Sequence, residues 1–342
     1  MTQKRENLQS EVNLLNARIL VGDIGGTTTR LAMAAGVDFE PSIKRYESRH
    51  FATLADVVRA FLQSEQQPVI ACACFAVAGP VTHHGSATTA ALTNLDWRLD
   101  SRTLATDFGI PRVCLINDFE AVGYALSALT PHDFTVLQAG IAAPGAPRGA
   151  IGAGTGLGQA IVVARDGGDV VIPTEGGHVD FAATNALQWE FVQWWTRQHA
   201  RISYEDVLSG EGLARIHAFF CQRNARHSSQ SDDVPAAVIS QRALIDRDPL
   251  AGAALDLFVE IYGRQAGNFA LAAGATGGVY IAGGIALHLL EKLQEGTFLR
   301  AFIDKGPMSA LLQRVPLAVI TRRESGLLGA YTYARQTSLT AG

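Results

Sequence analysis

The sequence predicts an α/β protein of two domains built on mixed sheets. Three observations carry this. The chain has 342 residues, more than the roughly 250–300 that one hydrophobic core usually holds. Near-continuous apolar runs, such as VIACACFAVAGPV from Val69 to Val81, suit internal strands of a mixed or parallel sheet. Two strand–turn–strand stretches with glycine–threonine turns, LVGDIGGTTTRL (20–31) and GAIGAGTGLGQAIVVA (149–164), suggest structurally related halves.

The first of these stretches organises the chain. Gly25 and Gly26 follow an apolar strand, and glycine reaches φ > 0 freely. Backbone N–H groups left bare there, with the hydroxyls of Thr27, Thr28 and Thr29, would make a nest for phosphate oxygens. Asp23 ends the strand, where a carboxylate holds Mg²⁺ directly or through water. The bland alternative is a plain hairpin with a diglycine turn. The second glycine–threonine hairpin weakens that alternative, because two such turns fit one nucleotide.

The remaining elements follow from spacing. Residues 1–18 read as an extension, mobile or briefly helical, and the core starts at Arg18 or Ile19. Phe39–Phe51 reads as a strand with its turns. Thr53 caps a helix over 53–62, with Leu54, Val57, Val58 and Phe61 on one face. Thr82–Thr93 reads as a surface hairpin with His83 and His84 exposed, and Asn94 opens a turn that could lie near a ligand. Ser101–Phe108 is a helix and Val113–Ile116 a buried strand. That strand ends in Asn117-Asp118, then a helix runs through Leu129. Ligands of open α/β sheets sit at carboxyl ends of strands, which favours a functional Asp118; an Asn-Asp helix cap is the alternative, and one residue can do both.

Residues 139–149 are Gly/Pro/Ala-rich and mark a connection. After the second hairpin, PTEGGHVDF (173–181) places Glu175 and His178 beside two glycines in a loop. Ala186–Ala200 reads as a helix rich in tryptophan, suited to core or subunit interface. Residues 204–212 form a turn feeding a helix, 222–236 a polar loop, and 250–273 a long helix. GGVYIAGGI (277–285) is strand, diglycine, helix, with backbone able to approach an adenine or ribose. A strand at Leu317–Ile320 and a helix after Gly326 close the chain.

Bulk properties exclude several classes. Hydrophobic content is 48%, charged residues are 18%, and the net charge is −4. There is no basic face for nucleic acid, no 18-residue apolar run for a membrane span and no secretory leader. Cys72 and Cys74 alternate onto one strand face. Without a CxxC spacing or partner histidine, reduced buried thiols of a cytoplasmic protein fit them better than a metal pair.

From Ile19 onward the chain resembles the bacterial glucokinase family, within the actin-like, hexokinase-like ATPase superfamily. The motifs are GDIGGTTTR (22–30), LINDFEAVG (115–123), GAGTGLG (152–158), EGGHVDF (175–181), EDVLSG (205–210) and VYIAGGI (279–285), in the family's order. The resemblance implies two α/β domains with mixed sheets around an interdomain cleft. The small domain would comprise 19–128 plus 319–342, and the large one 129–318. ATP would contact Gly22, Asp23, Ile24, Gly25, Gly26 and Thr27 on one side, and Gly154, Thr155 and Gly156 on the other. Gly283, Gly284 and Ile285 would hold its adenosine end. D-glucose would be held by Asn117, Asp118, Glu175, His178 and Glu205, with Asp118 as general base and Mg²⁺ oriented by Asp23 through water. A homodimer is expected. Thr28 stands where the family usually has Asn, keeping a hydroxyl and lacking an amide.

The chemistry of these side chains agrees. Carboxylates accept hydrogen bonds from vicinal sugar hydroxyls, and Asn and His add donors. The implied reaction is transfer of the γ-phosphoryl group of Mg·ATP to the glucose 6-hydroxyl. A kinase for another hexose would use the same parts. A sugar-sensing regulator is disfavoured, because only about 18 residues precede the core and no cysteine cluster follows GGH. An ATPase without a sugar would leave the EGGHVD and EDVLSG loops without a purpose.

Overall fold

A computed structural model describes residues 18–35, 39, 41–66, 69–92, 95–224 and 234–339. The expected N-terminal extension (apart from Arg18), Asn94 and most of the 222–236 loop lie outside these residues. The chain divides into two compact units: residues 1–130, 165–171 and 323–342, and residues 131–164 and 172–322.

The first unit begins with β1 (Ile19–Ile24), β2 (Thr28–Ala34) and β3 (Ile43–Glu47). Then come α1 (Leu54–Ser64), β4 (Cys72–Val77), the strands β5 (Val81–His84), β6 (Ala87–Ala91) and β7 (Arg98–Asp100), α2 (Ser101–Phe108), β8 (Val113–Asn117) and α3 (Asp118–Ala125). Its main sheet has the order β3-β2-β1-β4-β8. The β1–β2 hairpin is antiparallel, while β1–β4 and β4–β8 are parallel. β5, β6 and β7 form a separate sheet.

Local chemistry explains these elements. All six residues of β4 are buried, as an internal strand requires. Thr53 and Asp56 close a capping box at the start of α1, worth about 1 kcal/mol. That helix buries Leu54, Val57, Val58 and Phe61 against Leu20, Leu31 and Phe75. Asp100 caps α2, accepting from the N–H groups of Arg102 and Thr103 at 2.8 and 3.0 Å.

The second unit carries β9 (Phe134–Gln138), β10 (Arg148–Ala153), β11 (Leu157–Arg165), the end of β12 (Gly168–Thr174), α4 (Ala186–Trp195), α5 (Tyr204–Val207), α6 (Gly210–Arg223), α7 (Ala236–Leu244) and α8 (Pro249–Ala272); the last residue of β11 and β12 up to Val171 group with the first unit. It continues with β13 (Gly278–Ile281), α9 (Gly284–His288), α10 (Leu290–Gln294), α11 (Thr297–Ile303), α12 (Ser309–Leu312) and β14 (Leu317–Ile320). The sheet order is β12-β11-β10-β13-β14-β9. Again an antiparallel hairpin, β10–β11, is followed by parallel β10–β13 and β13–β14 pairs. The two main sheets thus repeat one topology, which is the kinship that the paired hairpins suggested. The core of this unit gathers around α8, whose Tyr262, Phe258 and Ile261 are wholly buried.

α13 (Ser325–Leu339) returns to the first unit. It lies against α3 so closely that a Cβ on Gly329 would run into the Ala121 carbonyl.

Several expectations change. Among the described residues of the 39–51 region the strand runs over Ile43–Glu47, followed by a short 3₁₀ turn at Ser48–His50. The helix after Asp118 ends at Ala125, not Leu129, where Leu126 N–H bonds back to Gly123 as a tight turn. The tryptophan-rich helix stops at Trp195 rather than Ala200. The last crossing to the first unit comes at Arg323, not residue 319, because β14 is hydrogen-bonded to β13 and β9. The 165–171 segment also groups with the first unit.

Candidate active site

In the first unit the glycine–threonine turn is held from behind. Gly25 N–H donates to the Thr28 carbonyl at 3.1 Å. Ser48 Oγ donates to the Gly25 carbonyl at 2.8 Å and shares a hydrogen bond of 3.0 Å with Thr29 Oγ1. Ser48 N–H also reaches the Thr27 carbonyl at 3.0 Å. Three expectations are corrected here. Neither Gly25 nor Gly26 has positive φ. The Gly25 N–H is already bonded, and a Cβ at Gly25 would press the Thr28 carbonyl at 3.0 Å. The Thr29 hydroxyl is buried against Ser48 and is not part of a nest, whereas Thr27 is exposed. Gly22 is glycine for packing: a Cβ there would sit 2.5 Å from the Phe75 ring. The Ile24 side chain is core.

Asp23, one residue before the end of β1, has 28% of its side chain exposed, and its Oδ2 lies 3.4 Å from Arg30 Nη1, its cross-strand partner on β2. Burial pushes the Asp23 carboxyl above its ordinary range, and Arg30 pulls it back. One carboxylate of this kind, completed by substrate phosphates and water, suits Mg²⁺; among the described residues no cluster of three or more protein ligands for a metal forms.

The β8–α3 junction carries Asn117 and Asp118. Asn117 is the N-cap: its Oδ1 accepts from the N–H groups of Phe119 and Glu120 at 2.9 and 3.3 Å. Its Nδ2 donates to the Gly79 carbonyl at 3.2 Å. Asp118 is the first residue of α3, and its Oδ1 accepts from Phe119 N–H at 2.9 Å. The helix-cap reading therefore holds for Asn117, with Asp118 carried on the rigid first turn. Glu120, which the sequence reading passed over, completes the box by accepting from Asn117 N–H at 3.2 Å. Burial lifts the Glu120 carboxyl to about 7.

In the second unit the other turn is flanked by the polar loops. Leu157 N–H donates to Glu205 Oε2 at 2.8 Å, and a Cβ on Gly156 would collide with that carboxylate. His178 Nδ1 lies 3.7 Å from Glu205 Oε1, and His178 Nε2 lies 3.9 Å from Glu175 Oε2. Glu175 and His178, from one loop, thus converge with Glu205 from a separate segment. Their side chains are 75%, 59% and 33% exposed, and the spacing exceeds hydrogen-bond range, so each keeps polar atoms to offer. Gly177 is needed because a Cβ would strike the Leu157 carbonyl.

The diglycine joins the same group. Gly283 has φ 91° and packs so that a Cβ would lie 2.7 Å from the Ala153 carbonyl, at the strand entering the 154–156 turn. Gly284 begins α9, with open space around its Cα. Beside α9 an open groove of about 400 Å³ is lined by Val238, Gln241, Leu244, Ile245 and His288 among others. Its α7 wall, which no motif marks in the sequence, carries exposed Val238, and exposed Ile245 follows at the helix end.

The family model described as Glucokinase matches residues 20–337. A glucokinase from Nostoc punctiforme is 40% identical over 337 residues, covering 91% of this chain and 97% of that protein. One from Synechocystis sp. is 39% identical, covering 94% and 99%. A crystal structure of glucokinase from an Antarctic psychrotroph superposes with a TM-score of 0.80 at 32% identity, covering 92% of this chain and 98% of that one. The candidate residues of both units lie within the matched span, and the topology is that of the actin-like ATPase fold seen in these sugar kinases. The chain belongs to the glucokinase family.

Proposed function

We propose that this protein transfers the γ-phosphoryl group of ATP to the 6-hydroxyl of D-glucose. The convergence of Glu175, His178 and Glu205 beside a glycine–threonine turn is the observation that carries the reading. Carboxylates and an imidazole pair naturally with vicinal hydroxyls, and a sugar with a misplaced hydroxyl would leave one of them unmatched. Asn117 adds at most its remaining amide hydrogen, since its other hydrogen-bonding capacity serves the cap.

Asp118 takes the proton from O6 as general base, a role worth about 10²–10⁴ in rate. Its place on the first turn of α3 fixes its direction. Positioning and neutralisation of charge supply most of the remainder in phosphoryl transfer. The Gly22–Thr27 and Gly154–Gly156 turns hold phosphate oxygens. Gly283, Gly284 and Ile285, with the neighbouring groove, receive the adenosine end. Mg²⁺, oriented by Asp23 through water, would neutralise the phosphate oxygens when bound.

The test is coupled ADP release with Mg·ATP and glucose, mannose, fructose, galactose, N-acetylglucosamine or no sugar. Strong turnover with glucose alone is expected, lost on chelation with EDTA and restored by Mg²⁺. Turnover with a different hexose only would reassign the pocket, and sugar-independent hydrolysis would overturn the reading. A homodimer belongs to the same proposal. Trp189, 57% exposed on α4, is an aromatic of the kind interfaces bury, and sedimentation velocity checks it. A cytoplasmic location is supported by the free thiols of Cys72, Cys74, Cys114 and Cys221.

A further inference from the structure

The six-residue segment Glu205–Gly210 grips the Gly154–Gly156 turn at both ends. At one end Leu157 N–H donates to Glu205 Oε2 at 2.8 Å; at the other Gly210 N–H donates to the Gly154 carbonyl at 2.9 Å. Within the turn, Gly154 N–H bonds to the Gly156 carbonyl at 2.8 Å. The strand entering it is anchored from α8, where the buried Tyr262 hydroxyl accepts from Ala153 N–H at 3.1 Å.

The gripping segment is itself rigid. Ser203 and Asp206 close a capping box on α5, and Ser209 caps α6 by accepting from Gly212 N–H at 3.0 Å. Val207 and Leu208 are wholly buried between the two caps. A Cβ on Gly212 would strike the Val207 carbonyl, so the bend between α5 and α6 has no room to open. A glycine–threonine turn alone has many backbone states, and fixing each residue costs conformational entropy. Two bonds from a rigid neighbour place that cost in the folded protein, before any nucleotide arrives.

We propose that Glu205 and Gly210 are positioning residues that brace this turn in its phosphate-binding shape. Glu205 then has two separate tasks: Oε2 holds the turn, and Oε1, facing His178, serves the sugar. The proposal rests on the reading of 154–156 as a phosphate turn.

Gly210 offers a clean test, because it is absent from the ligand-contacting set. It is the first residue of α6, where proline is tolerated, and Ser209 before it is extended at φ −144° and ψ 176°, the conformation proline asks of its neighbour. G210P deletes the N–H that reaches Gly154 and aims its ring Cδ at that same carbonyl, so the contact is broken and this end of the turn is pushed away. G210A keeps the N–H, and its Cβ would meet nothing closer than 3.8 Å. Affinities for AMPPNP with Mg²⁺, and separately for glucose, are measured by titration calorimetry. G210A should match wild type within about twofold. G210P should bind AMPPNP at least about 3–10-fold more weakly, the worth of the lost hydrogen bond with the displaced Gly154 carbonyl added to it, and glucose affinity should be unchanged. E205A should show the same AMPPNP loss without glucose present, and E205Q should restore it, since an amide oxygen still accepts from Leu157.

Equal AMPPNP affinity in G210P and G210A overturns the brace while leaving the phosphate reading in place. So does a G210P loss that extends equally to glucose, which marks a general structural role. Failure of wild type to bind AMPPNP at all removes the phosphate reading and the brace with it.

Discussion

Glu120 Oε2 accepts a hydrogen bond from Asn117 N–H at 3.2 Å, while Asn117 Oδ1 accepts from Glu120 N–H at 3.3 Å. These reciprocal bonds span Asp118, so the residue assigned the proton transfer sits inside a closed capping box. Glu120 is 8% exposed. Around it lie Tyr124 on its own helix, Cys74 on β4, Cys114 on β8 and Tyr333 on α13, all raised in pKa through burial and proximity to its charge.

This arrangement predicts a pH-dependent stability. The Glu120 carboxyl rises from 4.5 to about 7 on folding. Between these values the folded chain holds more protons than the unfolded one, so Glu120 subtracts stability as pH rises through the window. Gln at this position can still complete the box. E120Q should therefore exceed wild type by roughly 1–3 kcal/mol at pH 8 and show little gain near pH 5. Urea midpoints at the two pH values give the comparison; equal gains at both would refute the assignment.

Asp118→Asn should lower kcat by about 10²–10⁴ with a change in stability below about 0.5 kcal/mol. The amide oxygen can still accept from Phe119 N–H, so the helix start survives. Near-normal turnover in this variant would remove Asp118 from the proton-transfer role.

Arg30 opposes the rise that burial imposes on Asp23. Without that cation the carboxyl titrates at a higher pH. R30Q should shift the acid limb of the kcat/KM profile upward in pH, while changing stability by less than about 1 kcal/mol, since the pair is partly solvated. An acid limb that stays in place would show that Asp23 ionisation does not govern activity.

Gly329→Ala should destabilise the first unit by about 1–3 kcal/mol, the usual cost of overpacking. The intruding methyl meets the Ala121 carbonyl, which is backbone and cannot swing aside. Chemical denaturation reads the effect directly. A neutral result would mean that α3 and α13 can separate without cost.

Much of the local architecture was legible in the chain. Thr53 is the N-cap expected of it, Ser101–Phe108 is helical over its whole expected span, and the long helix expected over 250–273 occupies Pro249–Ala272. The glycine–threonine hairpins stand where expected, with strands on both sides. What escaped was any feature set by a distant partner. Leu126 and Leu129 continue the helical spacing, yet α3 closes at Ala125. Thr29 reads like its neighbours but is turned inward by Ser48, nineteen residues on. The role of Gly210 in holding Gly154 has no local signal at all.

The glycine–threonine turns already pointed to phosphate binding, because those residues express their chemistry within a few positions, and the order of motifs resembled a sugar-kinase family. Periodicity likewise reports which face of a helix or strand is buried. The choice of which oxygen of Glu205 holds the turn and which faces His178, the burial that lifts Glu120, and the allocation of β14 to the second sheet arose from contacts between segments tens of residues apart. Desolvation and hydrogen-bond geometry depend on what surrounds a group in three dimensions, and the neighbours along the chain carry no record of that.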